Sequence, residues 1–88
     1  MASVLQYDFL LGSKDVIEVW LSDQANVLLM DTTNLDRFKR GEYFESHGGH
    51  QDVWPAYIPA PWPGHWHLVI NPQQLATTVK AAVRVIKG

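Results

Sequence analysis

Thr78-Val79-Lys80-Ala81-Ala82-Val83-Arg84-Val85-Ile86 is the stretch whose reading decides the fold. Val79, Ala81, Val83 and Val85 fall on every second position, with Lys80 and Arg84 between them. Successive side chains of an extended chain point to opposite faces, so a period of two marks a strand with one face in a core and the other in water. The same period recurs toward the N-terminus. Trp66–Asn71 turns Trp66, Leu68 and Ile70 one way and His67, Val69 and Asn71 the other. Val16–Leu21 sets Ile17, Val19 and Leu21 against Val16, Glu18 and Trp20. Val4–Leu10 sets Leu5, Tyr7 and Phe9 against Gln6 and Asp8.

Asn26–Met30 differs, because Val27-Leu28-Leu29-Met30 is apolar throughout. A strand of that kind is covered on both faces. Two weaker candidates complete the set. Glu42–Glu45 carries Tyr43 and Phe44, and Val53–Ile58 contains Pro55. Proline has no N–H for a ladder, so the second belongs at a sheet edge or a bulge. Gly12-Ser13-Lys14-Asp15, Ser22-Asp23-Gln24-Ala25 and Asn71-Pro72-Gln73-Gln74 read as turns, and Gly48-Gly49 as a turn or bulge. One short helix is expected over Asn34–Arg40, capped from Asp31, Thr32 or Thr33, with Leu35 and Phe38 on one side and Gly41 as its stop. About seven short strands and one short helix predict an all-β, compact antiparallel β-sandwich, jelly-roll-like, built from residues 1–88 as a single domain.

Composition agrees with a small folded domain. The chain has 88 residues, 47% of them hydrophobic, and four are tryptophan. Each large aromatic can bury about 150–250 Å², which suits a chain too short for a deep core. Seven Lys and Arg against nine Asp and Glu give a net charge of −2. A nucleic-acid-binding surface is therefore not expected, since such domains present a basic face. There is no cysteine, hence no disulfide framework and no thiolate chemistry, and a cytoplasmic location is expected. Met1–Asp8 lacks the pattern of a signal peptide, and no stretch approaches the roughly 20 apolar residues of a membrane span.

Several motifs occur in a fixed order: Leu29-Met30-Asp31-Thr32-Thr33-Asn34, Phe38, Gly41, Gly48-Gly49, Ile58-Pro59, Gly64-His65-Trp66 and Val79-Lys80-Ala81-Ala82-Val83-Arg84-Val85. Together they resemble a family of small bacterial proteins catalogued as a domain of unknown function, number eighteen-eighty-three. The resemblance spans nearly the whole chain and implies a β-sandwich. It also implies a domain that stands alone or precedes a Toll/interleukin-1-receptor-like domain, which suits a recognition module. The segment Trp54–Pro63 departs from the family pattern in its length and its Trp and Pro content.

Three groups of residues are candidate sites. Trp54, Tyr57 and Trp62 lie among Pro55, Pro59, Pro61 and Pro63. Aromatics on a stiff loop lose little entropy on binding and suit a protein partner or a sugar ring. His65 and His67 sit two apart on one strand, where both can face the same way, and His50 is a possible third ligand for a zinc-like ion. Against that, His65 can fix the start of the strand and His67 can be an ordinary strand residue. Asp31 and Asn34 are expected to tie the helix to its loop. Trp20 is expected to be covered by a loop or by the helix; the alternative is that it marks a contact surface.

Catalytic patterns are missing. Ser46 neighbours His47, but nucleophile and base need convergent geometry rather than adjacency. No phosphate-binding or dinucleotide fingerprint is present. The expected function is a non-catalytic binding or assembly module of a bacterial cytosolic protein, not an enzyme, with no cofactor. A protein partner or self-association is expected rather than a small molecule, and a homodimer is possible through the proline-bearing edge strand. The alternatives are a metal-binding protein or metal-dependent enzyme built on His65 and His67, and a carbohydrate-binding module using Trp54, Tyr57 and Trp62.

Overall fold

A computed structural model describes residues 4–72 and 80–88. Its strands are β1 (Leu5–Leu11), β2 (Val16–Leu21), β3 (Ala25–Met30), β4 (His47–Gln51), β5 (Ala56–Pro59), β6 (Gly64–Pro72) and β7 (Ala81–Ile86), with one helix, α1 (Thr32–Lys39), between β3 and β4. They form two antiparallel sheets, β1-β6-β3-β4 and β5-β2-β7. Consecutive strands lie in different sheets except β3 and β4, which pair with each other.

The alternation read from the sequence selects the buried faces. Ile17, Val19 and Leu21 of β2 meet Val27, Leu29, Trp66, Leu68 and Ile70 in one core. Each fully buried aliphatic side chain of this kind contributes about 1.5–3 kcal/mol. The apolar run Val27–Met30 of β3 is covered on both sides, as its composition requires. Its other face meets α1, where Met30, Leu35 and Val69 form a second cluster flanked by Leu28, Phe38 and Phe44. Phe38 and Phe44 contact edge to face, with ring centroids 5.1 Å apart.

Local chemistry fixes α1. Asp31 is the N-cap, and its carboxylate accepts from the backbone N–H of Asn34 at 2.9 Å. The Asn34 side-chain amide also donates to Asp31, and its carbonyl accepts from the Glu45 N–H. The loop after the helix is thereby tied to the turn before it. At the other end Gly41 takes φ +73°. Its N–H reaches the Phe38 carbonyl while Glu42 N–H reaches that of Arg37, which closes a Schellman motif.

Several expectations need correction. The helix begins two residues earlier than Asn34 because the cap is Asp31 itself. Glu42–Glu45 is not a strand; its backbone serves the helix stop and the Asn34 contact. Gly48-Gly49 is not a turn but lies inside β4. A Cβ at Gly48 would stand 2.3 Å from the Val27 carbonyl oxygen, so glycine is what allows β4 to approach β3. Of the expected Val53–Ile58 strand only Ala56–Ile58 is extended in the sheet, where β5 runs one residue further to Pro59 and holds an edge position. Strand β6 reaches Gly64 and Pro72, beyond both expected ends. Trp20 is 48% exposed rather than covered, because α1 lies on the other sheet. The expected strand residues Thr78 and Val79 and the turn residues Gln73 and Gln74 lie outside the described residues.

Candidate functional site

The candidate residues divide among three places. The first is an aromatic cluster at Trp62. The Trp66 indole N–H donates to the Trp62 carbonyl at 2.9 Å, and the two rings stand 4.7 Å apart. His47 packs edge-on against both, at 5.8 Å from Trp62 and 5.7 Å from Trp66. Trp66 is buried, whereas Trp62 is half exposed. Trp62 is therefore an outward ring held on a fixed support. Trp54 is spent differently, packing against the main core. Tyr57 lies between the buried Ala56 and Ile58 and so points out of the second sheet. The structure does not gather Trp54, Tyr57 and Trp62 into one stacking platform.

The second place is His67. Register puts Asp8 opposite His67 and Leu10 opposite His65 on the outer face of the first sheet. His67 Nδ1 lies 2.7 Å from Asp8 Oδ1 and its Nε2 lies 2.9 Å from Thr32 Oγ1. A carboxylate only accepts, so Nδ1 carries a proton, and in the neutral imidazole Nε2 then accepts from the threonine hydroxyl. Hydrogen bonds from His67, then Gln6, hold the Asp8 carboxyl below its ordinary value. The order Asp8–His67–Thr32 has the connectivity of an acid–base–nucleophile relay. Asp8 is 63% exposed, however, so its charge works through water rather than in the dry setting such relays use. The arrangement joins β1, β6 and α1 and acts as a clamp.

Both nitrogens of His67 are thus engaged. His47 pairs with the inward-facing Leu29, while His50 pairs with Asn26 on the other face of β4. Among the described residues no three His, Asp or Glu side chains come together as metal ligands.

The third place is the open face of β5-β2-β7. It joins residues that the sequence does not bring together: Tyr57 is grouped there with Trp54 and Trp62, and Trp20 is expected to be covered. Register lines up Val16 with Pro59 and Ile86, Glu18 with Tyr57 and Arg84, and Trp20 with Ala82. Tyr57 is 56% exposed, and Trp20 and Ile86 are exposed with it. At its centre Arg84 Nε donates to Glu18 at 2.5 Å. Bonding to Arg84 first, then Tyr57, holds the Glu18 carboxyl below its ordinary value, and Glu18 in turn pushes the Tyr57 hydroxyl up. The signal was present in the sequence. Trp20 shares a strand face with Glu18, and the alternation of Val53–Ile58 already turned Tyr57 away from Ile58.

A family model described as Domain of unknown function (DUF1883) matches residues 5–88. The chain belongs to the DUF1883 family. No curated protein and no solved structure matches it. In this DUF1883 chain no helix among the described residues is long and apolar enough to cross a membrane.

Proposed function

We propose that this DUF1883 domain is a non-catalytic protein-binding module and that the open face of β5-β2-β7 receives the partner. One observation carries the reading: Trp20, Tyr57 and Ile86 stand exposed around the Glu18–Arg84 pair on a sheet face that α1 leaves uncovered. Monomeric domains rarely present such aromatics together, and Trp, Tyr and Arg are the residue types that dominate protein contacts. A sheet face suits a protein surface better than the concave pockets that small molecules use. The fixed ion pair supplies orientation, because a partner must match it or leave it buried unpaired. Trp62, supported by Trp66 and His47, is a second contact ring. The reading includes a bacterial cytosolic setting, which the absence of cysteine supports.

The test is affinity capture from a bacterial host with the unaltered domain, Trp20→Ala, Tyr57→Ala and Trp62→Ala in parallel. The expected result is a specific protein retained by the unaltered domain and lost with Trp20→Ala and Tyr57→Ala, while thermal midpoints stay unchanged. Retention by both face variants would remove the face from consideration, and dependence on Trp62 alone would move the contact to the aromatic loop.

A further inference from the structure

The two sides of the sandwich are not equivalent. On one side β4 and β5 touch across the layers. The inward residues Ala56 and Ile58 of β5 are buried there. On the other, the inward residues of β1 (Leu5, Tyr7 and Phe9) and of β7 (Ala81, Val83 and Val85) reach the core yet remain only partly buried. Among the described residues the side bounded by β1 and β7 is therefore apolar and only partly covered.

The backbone of β7 adds a second observation. Ser22 N–H donates to the Lys80 carbonyl in continuation of the β2–β7 register. In an antiparallel ladder bonded and non-bonded pairs alternate. Lys80, Ala82, Arg84 and Ile86 therefore turn their backbone groups toward β2. Ala81, Val83 and Val85 turn theirs away, to an edge that no strand among the described residues pairs with. The edge of β5 is different. Ala60 N–H donates to the Asp15 carbonyl, so the outward positions of that segment are 55, 57 and 59. Two of them are Pro55 and Pro59, which carry no N–H. Proline blunts that edge, whereas Ala81–Ile86 contains none.

We propose that a second copy of this chain covers the side bounded by β1 and β7, with β7 pairing antiparallel to β7 of the partner subunit about a two-fold axis at Val83. Charge selects the register. Placing Arg84 on the axis sets two guanidinium groups directly opposite, and placing Ala82 there sets Arg84 opposite Lys80 of the partner subunit. Like charges so placed are destabilising. With Val83 on the axis, Arg84 faces Ala82 of the partner subunit, Lys80 faces its Ile86, and the outward groups of Ala81, Val83 and Val85 all find partners. The two copies then make one continuous sheet of twice three strands with like surfaces meeting, the closed arrangement that two-fold symmetry requires. This contact uses the sheet's edge rather than its open face, so its failure would leave the proposed binding face standing.

Light scattering during gel filtration over a concentration series tests the pairing. The expected mass rises toward twice the 10.0 kDa of one chain, and a single-chain mass throughout overturns the proposal. Val83→Pro removes an outward N–H and spares the ladder to β2, so it should restore the single-chain mass with an unchanged strand-type circular dichroism. A dimer that survives it overturns the proposal. The register is read without depending on that variant. The chain has no native cysteine, so Ala82→Cys and Arg84→Cys proteins can be oxidised separately and mixed. Disulfide between the unlike pair in excess of either like pair supports the Val83 axis; like pairs forming equally well refute it.

Discussion

Replacing Gly48 by alanine probes the approach of β4 to β3, on which the His47–Trp62–Trp66 cluster depends. Two costs arise. Gly48 holds φ +107°, a conformation that L residues adopt at a cost of about 1–2 kcal/mol. The new methyl would also meet the Val27 carbonyl oxygen at 2.3 Å, so one backbone must move away from the other. Breaking part of that ladder forfeits one or two hydrogen bonds of about 1 kcal/mol each. Alanine stiffens the unfolded chain and returns about 0.4–1 kcal/mol. The net expectation is a loss of about 2–3 kcal/mol, which lowers the melting midpoint by roughly 8–24 °C in a domain of this size. Gly49→Ala is the control. It shares a positive φ of +145° but has open space where the Cβ would go, so its loss should be about 1 kcal/mol or less once the unfolded-state gain is counted. Urea unfolding followed by tryptophan fluorescence measures both, and Gly48→Ala should also shift the native emission as His47 leaves Trp62 and Trp66. Equal losses for the two variants would refute the argument from close approach.

Asp31→Ala should cost about 1 kcal/mol by uncapping α1, measured by urea unfolding; an unchanged midpoint would contradict the capping role. Asp15 is buried and accepts from Gly12 N–H at 2.8 Å, Lys87 Nζ at 3.0 Å and Gly88 N–H at 3.2 Å. The Gly12 N–H first, then Lys87, holds its carboxyl below the ordinary value. Its stabilisation is therefore complete above about pH 4 and lost as pH falls below that, through the depressed folded-state value. Asp15→Asn should flatten the acid limb of the stability–pH curve, and an identical limb would refute the linkage. Nitrogen-15 shifts of neutral His67 should report the Nδ1–H tautomer, a preference weakened in Asp8→Ala, which removes the acceptor; an Nε2–H tautomer in the unaltered protein would overturn the assigned hydrogen bonds.

The strands with clean alternation were legible because burial on one face leaves a period of two in the sequence. Ile17, Val19 and Leu21 are each at most 1% exposed, as their spacing required. Strand β4 was illegible for the opposite reason. His47-Gly48-Gly49-His50-Gln51 has no apolar alternation, since its fit rests on an absent side chain rather than a present one. The cap at Asp31 and the stop at Gly41 were readable because their chemistry is local. The His67 clamp was not, because its partners lie 59 and 35 residues away. Sequence spacing likewise suggested a shared platform for Trp54, Tyr57 and Trp62, but Trp54 packs against the core, Tyr57 points out of the second sheet and Trp62 rests on Trp66 and His47.

Links that pass from layer to layer also govern how the chain reaches its shape. Only β3 and β4 are both consecutive and paired, and they are joined through α1 rather than by a tight turn, so neither sheet can zip up from a short hairpin. Each must wait for distant segments to meet, at a heavy loop-closure entropy. Folding should consequently be slow and all-or-none, in the millisecond-to-second range of non-local β domains. Until it completes, the bare edge of β7 is open to strangers, which makes newly synthesised chains the population most exposed to aggregation.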